Sequence, residues 1–152
     1  YGEGSAVEYS ELFLAVLARA AGRTGVNVPR IWVDSPVSLR AGRELWSIPK
    51  QLATFRQTSE GELEAVATIT EAPIAHARFR CGSALPFRMP TKLTVLQHMG
   101  DRLQCTPVFA TSAIAFGSST WSIPSGSALS VLRGRRPLIS MALRNARIRF
   151  GA

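Results

Sequence analysis

Lysine is almost missing from this chain. Of its 18 basic residues 16 are arginine, and only Lys50 and Lys92 are lysine. Arginine supplies a positive charge but cannot lose its proton in a protein. A rare lysine is therefore a candidate for an amine used neutral, although an arginine-rich composition by itself would leave it an ordinary one. Cysteine is scarce too. Cys81 and Cys105 are too few for a disulfide framework and are not spaced as metal ligands, so both are expected as reduced thiols in a cytoplasmic protein. His76 and His98 stand alone, which leaves no metal site and no cofactor to expect. No apolar run reaches the ~18 residues of a membrane helix, and the polar, acidic stretch from Tyr1 to Glu11 does not read as a signal peptide. Acidic residues number only ten, leaving a net charge of +8. Such a balance can mean an anionic partner. The basic residues are scattered, however, except at Arg133, Arg135 and Arg136 and at Arg144, Arg147 and Arg149. A solvated face is the expected reading, with neither nucleic acid nor membrane as partner.

What is present is an ordinary globular composition, 152 residues with 46% hydrophobic and 18% charged. That suffices for one domain with a real core. The stretch from Ala41 to Phe55 organises it. Lys50 sits there among Trp46, Ile48, Pro49, Leu52 and Phe55. Such a lysine is either a stem covering apolar surface with its head in water or a buried amine. Burial disfavours the ammonium form, and a neutral amine can form a Schiff base with a carbonyl.

Four blocks narrow the choice: Tyr9-Ser10-Glu11, Val33-Asp34-Ser35, Ala41-Gly42-Arg43-Glu44-Leu45 and Ile48-Pro49-Lys50-Gln51-Leu52. In order and spacing they resemble the acetoacetate decarboxylase family, densely from Tyr9 to Phe55 and more diffusely beyond. The resemblance implies that Lys50 forms the Schiff base, that Glu11 is the acid of a Tyr-x-Glu element, and that Trp32 and Ile48 line the pocket. It also implies a β-barrel, a small keto acid as substrate and a homo-oligomer. The sequence departs from the family in two places. The decarboxylase has a second lysine after the first, whose charge helps to activate the nucleophile; here that residue is Gln51. The family also carries a segment before the Tyr-x-Glu block, with an arginine and a further acid of the active site. Residues 1–152 are thus expected to form a single domain of this type without that segment.

Taken in order, the chain reads as mainly β. Residues 9–20 and 26–33 form a hairpin around Gly22-Arg23-Thr24-Gly25, with Pro29 at an edge or a bulge. Ser35 caps a helix starting at Pro36. Val37, Ala41 and Leu45 share one face of it, Gly42 and Ser47 keep it short, and Pro49 forbids its continuation. Lys50 then lies just past a helix C-terminus, where the dipole favours a cation. Arg43 and Glu44 are expected to fix this helix against other strands. Strands follow at 51–58, 62–70 (Leu63, Ala65, Ala67 and Ile69 inward, after a turn at 59–61), 74–81, 93–96, 103–108, 109–116 and 138–150. Loops are expected at 82–91 and 117–119, and a short helix at 125–132. Trp-Ser-Ile-Pro occurs twice, at 46–49 and 121–124, without extending into a repeat, and Trp121 reads as core or pocket wall. Seven or more strands joined by short turns, with one or two helices, argue for an antiparallel barrel or closed sheet.

The functional expectation is a Schiff-base lyase acting on a β-keto acid. Lys50 and Glu11 are catalytic, and Trp32, Ile48 and Gln51 contact the substrate. Two alternatives stay open: a Schiff-base aldolase or dehydratase, and a binding barrel without chemistry in which Lys50 is a snorkelling stem.

Overall fold

The first hairpin sets the frame. In the computed structural model, which describes residues 8–58, 62–67 and 71–151, β1 (Glu11–Ala20) and β2 (Arg23–Val33) pair antiparallel. Ala21 and Gly22 make the turn, both at positive φ, 48° and 73°. That geometry matches the right-handed twist of the flanking strands. The turn is tighter than the four residues expected, because Gly25 is needed elsewhere: a Cβ there would strike the carbonyl oxygen of Thr94 on the strand alongside. Pro29 falls beside the register shift between Leu14 and Val16. On the other edge of β2 it lies between the pairing at Val26 and the pairing at Ile31–Val33, so its missing N–H costs no ladder bond.

Ser35 caps α1 (Pro36–Trp46), its side chain accepting from the Ser38 N–H. Ser47, at φ 54°, ends it. Gly42 does not shorten the helix as expected, but lies inside it. Val37 and Leu45 are exposed, and the buried side of α1 carries Ser38 and Gly42. Small residues let the helix sit close on the sheet, a face invisible to a search for apolar periodicity.

The remaining strands are β3 (Lys50–Gln57), β4 (Glu62–Ala67), β5 (Pro73–Met99), β6 (Arg102–Ser122) and β7 (Ser140–Phe150). They form one seven-stranded sheet in the order β1 to β7, with an added β2–β5 pairing. The pairings of β2 with β3 and β5 are parallel and the rest antiparallel. The expected barrel is corrected on one point. Among the described residues β1 and β7 do not pair with each other, so the mixed sheet is not closed. The expected loops at 82–91 and 117–119 are strand. Pro90 pairs opposite Thr111, and Pro86 falls within a register shift between Ala84 and Arg88. Bulges of this kind absorb a proline without ending a strand. Gly117 pairs with Cys81 where a Cβ would strike the Arg80 carbonyl oxygen. The expected helix at 125–132 is reduced to a single 3-10 turn, Ser130–Leu132. The turn at 59–61 and the end of the 62–70 strand lie outside the described residues, as does the inward set proposed for it. Trp121 is 40% exposed rather than core, its indole N–H donating to Ser119.

Two core clusters flank the region around β2 and β3. One contains Leu12, Trp32, Ala53, Ile74 and Ile123. The other contains Val28, Ile31, Ile48, Val95 and Val108, with Trp46 and Phe150 packed against it.

Candidate active site

Lys50 is the first residue of β3, reached through a turn at Pro49 in which its N–H donates to the Ile48 carbonyl at 2.8 Å. Successive side chains of a strand alternate between faces. The register Ile31↔Lys50 puts Lys50 on the same face as Ile31, and Glu11↔Val33 adds Glu11 to that face. The two meet there, with Lys50 Nζ 2.8 Å from Glu11 Oε2. Their side chains are 6% and 11% exposed, a buried ion pair. The amine also donates to Ser38 Oγ at 2.8 Å and lies 5.1 Å from the centre of the Tyr9 ring. Thus a carboxylate, a hydroxyl and an aromatic ring hold the head of one buried lysine.

The stem runs along α1. A Cβ on Gly42 would stand 2.6 Å from Lys50 Cδ and 2.7 Å from Cε, so the missing side chain is the channel in which the lysine lies. Arg43 Nε donates to the Lys50 carbonyl at 2.8 Å and ties the helix to the start of β3. Glu44 is exposed. The amine therefore ends beside Ser38 in the first turn of the helix, not at the C-terminus as expected. That end carries the positive pole of the dipole, which is unfavourable for a cation, and the Glu11 carboxylate offsets it.

Of the residues expected to form the site, Lys50 and Glu11 are brought together. Ile48 adjoins Lys50 through the backbone, while its side chain belongs to the second core cluster. Trp32 and Gln51 are paired with each other in register and lie one residue from Ile31 and Lys50, so both side chains take the opposite face. Trp32 is core, 2% exposed, and Gln51 is exposed. Gln51, expected to contact the substrate, therefore lies on the face away from the Lys50–Glu11 pair. Ser38, Gly42 and the Tyr9 ring were not expected in the site. Their signal was the small-residue spacing opposite the Val37–Leu45 ridge, and the tyrosine of the Tyr-x-Glu element itself. Among the described residues no cluster of His, Cys, Asp and Glu could hold a metal. A groove of about 350 Å³ lies elsewhere, lined by residues including Phe116, Gly117, Leu138 and Ser140, and none of the residues around Lys50 lines it.

Comparisons with known proteins bear on the same region. Residues 1–124 match the family described as acetoacetate decarboxylase. No curated protein matches the chain. Among solved structures it is similar to acetoacetate decarboxylase from Legionella pneumophila, with a TM-score of 0.63 and 19% identity over 93% of this chain. The chain spans 64% of the length of that protein. A second acetoacetate decarboxylase structure gives a TM-score of 0.54 at 16% identity, covering 93% of this chain and 68% of that one. The enduracididine biosynthesis enzyme MppR, complexed with pyruvate, gives 0.55 at 16% identity, covering 92% of this chain and 66% of that one. These likenesses define the fold, and with the family match over residues 1–124 the chain belongs to the acetoacetate decarboxylase family.

Proposed function

We propose that this chain carries the nucleophile of a Schiff-base-forming lyase acting on a small β-keto acid. The observation that supports it most is the buried Lys50 amine, 2.8 Å from Glu11. Glu11 accepts the ammonium proton, and the free amine adds to the ketone carbonyl. Loss of water from the carbinolamine leaves an iminium. The carbon–carboxylate bond then breaks, its electron pair flows into the iminium, and CO2 departs. The resulting enamine is protonated at carbon, and water returns the ketone and the free lysine. The same reading includes a homo-oligomeric cytoplasmic enzyme without a cofactor, and the two free cysteines suit a reducing compartment.

A second reading keeps the imine and changes the bond made. MppR has been solved with the condensation product of pyruvate and imidazole 4-carboxaldehyde. This chain has Gln51 in place of the decarboxylase's second lysine. An aldol-type condensation or dehydration of a keto acid would suit that change.

Borohydride reduction in the presence of acetoacetate, and separately of pyruvate, tests both. The expected result is a mass increment on the peptide containing Lys50, lost in Lys50→Met. Release of CO2 from the β-keto acid then favours the lyase, and trapping of pyruvate alone the aldolase or dehydratase. No adduct with either acid would leave a binding protein without chemistry.

A further inference from the structure

The charge of this chain is divided very unevenly. Residues 1–71 carry seven basic and nine acidic side chains, whereas residues 72–152 carry eleven basic side chains and one acid, Asp101. The first part is thus −2 and the second +10. Strands β5, β6 and β7 contain no carboxylate at all. The scatter of basic residues in the sequence, on which the expectation of no nucleic-acid partner rests, does not persist in the fold. Cross-strand pairs point to the same face. Lys92↔Phe109↔Arg149 form one such row and Thr111↔Arg147 the next. Ala113 pairs with both Arg88 and Arg144, beyond a bulge that keeps it in step with Thr111.

Five cations, Arg88, Lys92, Arg144, Arg147 and Arg149, therefore share one face of three adjacent strands, and all five are exposed. The opposite face is apolar: Val108 and Phe150 pair across it within the second core cluster, while Leu93 and Ile148 on the same face stay partly exposed. At the centre of the cationic face Phe109 is half-buried, with Lys92 Nζ at 5.3 Å and Arg149 Cζ at 5.5 Å from its ring. Arg88 lies across the strands and donates to the carbonyls of Thr111 and Asn145 at 2.8 and 2.7 Å. Among the described residues none of the five meets a carboxylate. A merely solvated surface intersperses both signs; this one leaves a single-sign field unneutralised.

We infer that this face of β5–β7 binds the phosphate backbone of single-stranded nucleic acid. Four of the five cations are arginine, whose planar fork fits phosphate oxygens in pairs. Alternate residues of a strand, such as Arg147 and Arg149, stand about 6.6 Å apart, so the cations form a track rather than a point. A sheet with a central aromatic ring and a basic surround is a surface on which a flexible strand can lie and stack. The inference is independent of the chemistry at Lys50, which sits in another part of the sheet.

The test is fluorescence anisotropy of a labelled 20-nucleotide thymidine oligomer titrated with the 152-residue chain. Binding is expected at 50 mM salt and should weaken with log salt at about 0.7 per phosphate contacted. Arg147→Gln/Arg149→Gln should lower that slope by about 1.4, while Arg147→Lys/Arg149→Lys should retain most of it. Arg19→Gln/Arg23→Gln, in the first hairpin, should leave it unchanged. Thermal melting of each variant by circular dichroism identifies any that do not fold. Absence of binding at 50 mM salt would overturn the inference. So would binding that the β7 pair does not alter, or binding only to phosphatidylserine vesicles. Self-association abolished by the β7 pair, with no oligomer bound, would assign the face to a second copy instead.

Discussion

At the scale of single residues, the Lys50–Glu11 pair and Gly42 are where stability and chemistry part company. Removing one partner of a buried ion pair leaves an uncompensated charge, which costs about 3–5 kcal/mol. Glu11→Leu should therefore lower the urea midpoint severely, and Glu11→Leu/Lys50→Met should recover much of the loss, because two apolar side chains need no partner. If the double variant were as unstable as the single one, the pair would not be what holds this region. Gly42→Ala is expected to behave differently. Alanine gains about 1 kcal/mol of helix propensity over glycine, but its Cβ displaces the lysine stem. The two effects roughly cancel in stability, while the imine trapping proposed for Lys50 should fall at least tenfold. Normal trapping would mean that the stem reaches the same position by another path. Lys50 and Glu11 were legible in the sequence because a short motif at fixed spacing marks each. Gly42 and Ser38 were not, since glycine within a helix reads as a breaker, and only the neighbouring strand reveals that its empty side is occupied.

At the scale of elements, legibility followed the punctuation of the chain. The first hairpin and α1 begin and end at residues whose backbone preferences fix them, Gly22 at the turn and Ser35, Pro36 and Ser47 at the helix. Within the long strands β5 and β6, Pro86, Pro90 and Gly117 read locally as breaks, because a local rule cannot see a partner strand that absorbs a bulge. Gly25 carries the same lesson. It lies within β2 without a positive φ, and its reason is the Thr94 carbonyl of β5 alongside. Gly25→Ala must push β5 away from β2, at a cost of about 1–3 kcal/mol typical of overpacking. The expected observation is a lower urea midpoint together with faster amide exchange near the Val26–Val95 pairing. Unchanged exchange there would mean that β2 and β5 are not held at this distance in solution.

For the molecule as a whole, closure of the sheet is not written in the sequence. Short turns and alternating strands fit a closed barrel and an open sheet equally well, and closure depends on which distant edges meet. Among the described residues β1 and β7 are not paired to each other, which leaves an edge on each, and an exposed edge is a template for another strand. The first edge is also apolar: Phe13, Val16 and Leu17 of β1 are 52%, 41% and 86% exposed. Leu17 lies near the hairpin end, so its substitution leaves both core clusters intact. Sedimentation velocity of the 152-residue chain should therefore reveal association that grows with concentration. Leu17→Lys should reduce it, because a charge on an edge strand opposes pairing with a second copy, and the melting temperature of the dilute protein should stay the same. Association that survives this substitution but is lost on changing Leu138, fully exposed before β7, would move the contact to the other edge of the sheet.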